Sequence, residues 1–208
     1  MGVRKKEALE QFNRDNILGA AKELFESKGV EKTTMDDIAA LADYSKSTIY
    51  VYFKSKEEIY NSIVEDYIDI LIHEMSVCIE TNKNFEDSYY KLCECLANFE
   101  ERYPGYYASL MGEDKLTNSK KKSDTKEMTL NSGISEVITN LLTKGIDNKT
   151  LRSDIDIKPT ALYVWSAISG IIRVADKKEA VFYEGLNMDK EEYLRYSFRT
   201  FYESLARR

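Results

Sequence analysis

Chain breakers are scarce in this protein: 208 residues hold two prolines, Pro104 and Pro159, and nine glycines. So few interruptions exclude an all-β fold with its many turns and point to long helices. Histidine is rarer still. His73 is the single one, which leaves little for acid–base chemistry near neutral pH. A nucleophile elbow, a P-loop, a dinucleotide fingerprint and zinc-ligand spacing are all missing; neither an enzyme nor a metal or cofactor is expected. No apolar run approaches the roughly 18–20 residues of a transmembrane helix. The opening "MGVRKKEALEQF" carries positive charge with no apolar stretch behind it, unlike a secretory signal, and Lys6 breaks the myristoylation pattern. The expectation is a cytoplasmic protein without membrane contact. The cysteines, Cys78, Cys93 and Cys95, are odd in number and lie in apolar helical text, as reduced thiols do. Cys93 and Cys95 are two apart and point to different helix faces, so no metal or redox pair is expected there.

What is present is a globular composition, with 43% hydrophobic and 32% charged residues, in a chain long enough to bury a real core. The net charge is −6, and residues 1–60 carry 10 Lys and Arg against 11 Asp and Glu. Bulk charge therefore gives no support for nucleic-acid binding. Any such role must rest on which face carries the lysines.

In "NRDNILGAAKELFESKG" the residues Ile17, Ala20, Ala21, Leu24 and Phe25 recur at i, i+3, i+4, i+7 and i+8, the stripe of an amphipathic helix. Asn13 is expected to cap it and Gly29 to close it in the left-handed conformation. In "TTMDDIAALA", Thr34 with Asp37 reads as a capping box, and Met35, Ile38, Ala39 and Ala42 form a short buried face. After a break at "DYS", "SKSTIYVYF" predicts a brief helix with Ile49 and Phe53 turned inward. Ser55 caps the next helix and Glu58 reaches back. That helix is expected to run to about residue 80, about 37 Å, with Ile59, Ile63, Tyr67, Ile70 and Leu71 inside. Further helices are expected over 85–102, 104–115, 126–146, 159–176 and 189–206, separated by loops at 115–126 and 147–159. The basic run "SKKKSD" (119–124) reads as a solvated loop. The fold class is all-α, about nine helices.

Three short amphipathic helices, the last two separated by a tight turn, describe a helix-turn-helix with a supporting first helix. The run "AAKELFESKGVEKTTMDDIAALADYSKSTIYVYFKSKEEIYNSIV" (20–64) resembles the DNA-binding region of the TetR family of bacterial transcriptional regulators. "GIDNKTLRSDIDIKP" resembles the loop these proteins place before their penultimate helix. Two departures stand out: Asp43-Tyr44 where the family often has Gly-Val, and Ser47 where it has glycine. Asp43 tolerates a left-handed backbone, and Ser47 faces where bases would lie. The resemblance implies a helix-turn-helix domain over 1–55. It also implies a helical effector-binding and dimerisation domain over 56–208.

In a helix-turn-helix the second helix enters the major groove with its N-terminal residues at the base edges. With Ile49 and Phe53 inward, Lys46, Ser47, Thr48, Tyr50 and Tyr52 remain on or near the outer face. Lys46 can donate to guanine O6/N7 or to a phosphate. Thr48 can touch a thymine methyl or a phosphate, and the tyrosines offer hydroxyls and ring faces. Thr33 and Thr34 sit where a helix start favours a phosphate, and Lys56 is placed for a backbone contact.

The remainder is expected to enclose a ligand and pair two subunits. Tyr89, Tyr90, Phe99, Tyr103, Tyr106, Tyr107 and Met111 are the aromatic-rich candidates for an effector pocket. Glu94 and Glu101, seven apart, fall on one face and are either solvated or attractive to a cation. "ALYVWSAISGIIRVA" and "EEYLRYSFRTFYESLA" supply the expected dimer interface. Its candidate residues are Trp165, Ile168, Ile172, Tyr193, Phe198 and Tyr202, with Gly170 permitting close approach. The expected function is a repressor released from a palindromic double-stranded DNA operator by a small-molecule effector. The alternative is a regulator whose C-terminal part binds a protein partner or only dimerises.

Overall fold

The computed structural model describes residues 2–82, 84–112, 124–176, 185 and 187–207, with side chains described from residue 4 and, in the seventh helix, from residue 133. Nine helices and no strand occur among the described residues: α1 (Gly2–Lys28), α2 (Met35–Leu41), α3 (Lys46–Tyr52), α4 (Lys56–Thr81), α5 (Phe85–Arg102), α6 (Pro104–Leu110), α7 (Asp124–Asp147), α8 (Ile157–Asp176) and α9 (Lys190–Leu205). None of them is long and apolar enough to cross a membrane. The run at 119–124 lies outside the described residues except for Asp124, which opens α7.

Two helix ends differ from the sequence reading by more than two residues. α1 begins at Gly2, so Asn13 caps nothing. The letters before it, "RKKEALEQ", are strong helix formers without a breaker, and the helix runs straight through them. α6 stops at Leu110 rather than near 115, because Gly112 turns left-handed (φ +74°) and its N–H closes on the Ser109 carbonyl at 3.0 Å. Elsewhere local chemistry acts as expected. Gly29 ends α1 at φ +83° with its N–H on Phe25 O, Thr34 and Asp37 form a full capping box, and Asp43 adopts φ +59° in the turn. Pro159 falls in the first turn of α8, where the missing N–H has no intrahelical partner to lose.

The chain divides into two compact units. One runs to Tyr67 and resumes at Ser109; the other comprises Ile68–Ala108 and the described chain from Asp124 onward. The boundary falls inside α4. In the first unit, Ile17, Leu18, Ala21, Phe25, Ile38, Ala39, Ile49, Phe53, Ile59 and Ile63 are buried. Each large apolar side chain removed from water there contributes about 1.5–3 kcal/mol.

In the second unit α5 packs on α7, α8 and α9, and α8 lies against both α7 and α9. Leu71, Met75, Phe85, Tyr89, Leu92, Leu96, Phe99, Ile138, Leu142, Ile168 and Ile172 form its core. Ile70, expected inside, is 41% exposed. The Lys144 ammonium donates to the carbonyls of Ile79 and Asn82 and to Ser88 Oγ. A cation thus closes the C-terminal end of α4, where carbonyls lack intrahelical partners. A Cβ on Gly145 would lie 2.6–2.7 Å from Phe85 and Leu151, so α7 needs glycine there to pack.

Candidate nucleic-acid interface

The first three helices hold one another through polar ties as well as core. The Asn13 amide donates to Tyr52 Oη at 2.8 Å, and Tyr44 Oη donates to Asn13 Oδ1 at 2.7 Å. Arg14 donates to Tyr52 O at 3.1 Å and its guanidinium lies 4.3 Å over the Phe53 ring. Asn16 donates to Ala42 O at the end of α2. Residues 13, 14 and 16 of α1 thereby brace the turn and the C-terminal end of α3.

α3 itself is short. Ser45 caps it, accepting from the Thr48 N–H at 3.1 Å, and the Phe53 N–H closes it on Ile49 O. Ile49 and Phe53 are buried as expected. On the other side Lys46, Ser47, Tyr50 and Val51 are exposed, Tyr50 by 47% and Val51 by 76%. These residues share one face of the helix, with its polar and apolar groups open to solvent.

The expected contact residues divide. Thr34, Lys46, Ser47 and Tyr50 are exposed, and Thr48 is half-buried. Lys46 forms an ion pair with Asp36 at 2.8 Å, which raises the pKa of its ammonium. Thr33 is buried instead of facing outward: its hydroxyl donates to Gly29 O at 2.9 Å. Tyr52 is half-buried, with its hydroxyl engaged by Asn13. Lys56 donates to the carbonyls of Val30, Glu31 and Thr33 at 2.7–3.2 Å. A lysine read as a backbone contact thus secures the α1–α2 connection. Asp37, beside Thr34, is held far below the usual carboxylate range by Lys28, at 2.7 Å, and then by the Thr34 hydroxyl and N–H. Sequence reading missed Val51. Its spacing four residues after Ser47 would have placed it on the outer face.

In the second unit, the aromatic residues named for a ligand are largely core. Tyr89, Phe99 and Tyr107 are buried, and Tyr89 Oη donates to Phe198 O at 2.8 Å. Tyr90, Tyr103 and Tyr106 are half-buried, and Met111, half-buried too, falls in the first unit. An open groove of about 640 Å³ lies elsewhere, lined by His73, Glu74, Cys78, Cys95, Glu101 and Arg102 among others. Arg102 bridges to Glu74 at 2.6 Å on its wall. Burial pushes the Cys95 thiol up to about 12, a state in which thiols are poor nucleophiles. Glu94 pairs with Lys91 at 2.6 Å. Glu101 is exposed, and among the described residues the buried carboxylate is its neighbour Glu100. Burial, then Asp176, raises its pKa. Among the described residues no group of His, Cys, Asp and Glu is arranged to hold a metal ion.

Of the six residues named for a dimer interface, Ile168, Ile172 and Phe198 are buried within the unit; their apolar character serves this chain's own core. Trp165, Tyr193 and Tyr202 are half-buried. Tyr202 is engaged inside the unit, 5.9 Å from the Phe85 ring centroid and donating to Glu86. The large apolar side chains exposed on α8 and α9 are Leu162, Tyr163 and Tyr196. A Cβ on Gly170 meets nothing within 4 Å in this chain.

Residues 17–63 match the family model described as bacterial regulatory proteins, tetR family. The chain is 30% identical over 115 residues to the biofilm operon icaADBC HTH-type negative transcriptional regulator IcaR of Staphylococcus epidermidis, covering 55% of this chain and 62% of that one. Its counterpart in Staphylococcus aureus strain Newman is 35% identical over 100 residues, 47% of this chain and 53% of that one. The chain thus spans about half to three-fifths of the length of these relatives. In fold it is similar to a TetR/AcrR-family transcriptional regulator from Thermobifida fusca, with a TM-score of 0.73 and 21% identity over 91% of this chain and 96% of that one. Residues 17–63 thus match the helix-turn-helix segment of the tetR family of bacterial regulatory proteins, and the chain as a whole has the all-helical fold of the solved regulator it is similar to.

Proposed function

We propose that this protein is a DNA-binding transcriptional repressor that works as a homodimer and leaves a palindromic operator when a small molecule binds its second unit. The observation that carries the reading is the α2–turn–α3 arrangement: a seven-residue helix braced from behind by Ile49, Phe53, Asn13 and Arg14, with Ser47, Tyr50 and Val51 open on its outer face. Such a face fits the major groove, where the second helix of the motif meets base edges. The negative regulation named for the staphylococcal relatives supports repression as the sign. One short helix makes few contacts, whereas a two-fold dimer reads two half-sites a helical turn or a multiple apart.

For the subunit contact, Leu162, Tyr163 and Tyr196 replace the buried residues as the side chains that would meet a partner, with Trp165 and Tyr193 beside them. Leu162→Glu is expected to give monomers in sedimentation velocity while retaining its helical spectrum. For release, α4 contributes residues to both units. A ligand that prefers one arrangement of that helix would shift the population away from the DNA-bound form.

The test is fluorescence anisotropy on duplex DNA from upstream of the protein's own gene, across a salt series. The expected result is tight binding to one palindrome, weakened by salt in proportion to several phosphates, and lost in Tyr50→Ala. Binding no tighter than to random duplexes, there and after selection from a genomic library, would refute the regulator reading. A panel of small molecules in thermal melts separates effector binding from a dimerisation-only second unit, because a ligand of the folded state alone raises Tm.

A further inference from the structure

The outer face of α3 is short of the side chains that read purines. Its sequence, KSTIYVY, contains no Arg, Asn or Gln, and its one cation, Lys46, is held at 2.8 Å by Asp36. Guanine and adenine are recognised in the major groove chiefly by paired hydrogen bonds from those three residue types or from lysine. Two hydroxyls near the start of the helix are also occupied locally. Ser47 Oγ and Thr48 Oγ1 each share a hydrogen bond with Ser45 Oγ, at 2.8 and 2.7 Å.

Beside these polar groups the face presents open apolar surface. Val51 is 76% exposed, more than any other large hydrophobic residue described in the chain, and Tyr50 beside it is 47% exposed. A β-branched side chain is a modest helix former, and no packing inside this unit uses it. A pair of bare methyl groups on a groove-facing helix matches one chemical feature of a base pair, the 5-methyl group of thymine. Burying methyl against methyl removes from water two apolar surfaces that are otherwise wet on both molecules.

Resting on the DNA-binding reading above, we infer that Val51 reads a thymine methyl in each operator half-site. The base pair under Val51 is then an A·T pair, selected there by methyl contact rather than by a bidentate hydrogen bond.

The experiment starts with selection of bound duplexes from a random pool by the wild-type protein. Each thymine of one half-site in the selected duplex is then replaced singly by deoxyuridine, which removes the methyl group and nothing else. Affinity is measured by anisotropy for wild type and for Val51→Ala. Alanine at this exposed helical position favours the helix, so the variant folds, and a circular dichroism melt verifies it.

One deoxyuridine is expected to weaken wild-type binding about fourfold, the value of one buried methyl group, and to leave Val51→Ala unaffected. Equal losses in both proteins, or no loss in wild type at any position, would overturn the assignment to Val51 while DNA binding stands. If no duplex is enriched at all, the DNA-binding reading fails first and this inference falls with it.

Discussion

Asn13 and Tyr52 meet across the first unit at 2.8 Å, amide nitrogen to phenol oxygen, although 39 residues separate them in the chain. The same Asn13 accepts from Tyr44 in the turn, so one side chain of α1 ties the turn to the end of α3. Removing it leaves two part-buried hydroxyls without this partner. Asn13→Ala is expected to cost about 1–2 kcal/mol in urea unfolding. Tyr52→Phe, which removes one hydroxyl and keeps the ring, should cost less. Because the tie orients α3, Asn13→Ala is also expected to weaken operator binding more than Tyr52→Phe does, with anisotropy as the check.

Lys56 separates a structural lysine from a phosphate-binding one. Its ammonium satisfies three carbonyls between α1 and α2, and Lys56→Met leaves them bare. The expected loss is about 2 kcal/mol of stability, in the range of hydrogen bonds to a charged group. At a temperature where the variant is folded, the salt dependence of DNA binding should keep its wild-type slope. A slope lower by about one would instead mean that Lys56 neutralises a phosphate.

Gly145 tests packing in the second unit. A methyl group there would press on Phe85 and Leu151 at 2.6–2.7 Å, and both are buried. Gly145→Ala is expected to lower stability by about 1–3 kcal/mol through overpacking, outweighing alanine's better helix propensity. A thermal melt showing a stabilised variant would mean that the Phe85 and Leu151 side chains move aside freely.

Asp37 sets a pH dependence with a definite sign. Lys28 first, then Thr34, hold its carboxyl far below the ordinary carboxylate range. The folded state therefore favours the ionised form, and that contribution is complete above the unfolded value of about 4. It is lost as pH falls from there toward the folded value. Asp37→Asn should melt below wild type at neutral pH, and the gap should narrow as pH drops through about 4. A gap that stays constant with pH would show that the capping geometry matters and the charge does not.

The sequence by itself determined that the first unit is built of helices and which of their apolar residues turn inward, though not where α1 begins. Spacing placed Ile17, Ile38, Ile49 and Phe53 inward, and the Thr34–Asp37 box and Gly29 marked ends through interactions spanning at most four residues. It also made the resemblance of residues 17–63 to the tetR family legible, because that motif lies in one continuous stretch. Tertiary structure alone decided what the long polar side chains do. Lys56 reaches carbonyls 23–26 residues away, Tyr52 meets Asn13 across 39 and Tyr89 meets Phe198 across 109. It likewise turned Ile168, Ile172 and Phe198 into core and left Leu162, Tyr163 and Tyr196 outside. Periodicity reports which face of a helix is apolar, but not whether that face meets its own chain or another. A lysine or tyrosine has the reach to choose among several partners, and only the packed neighbours settle the choice.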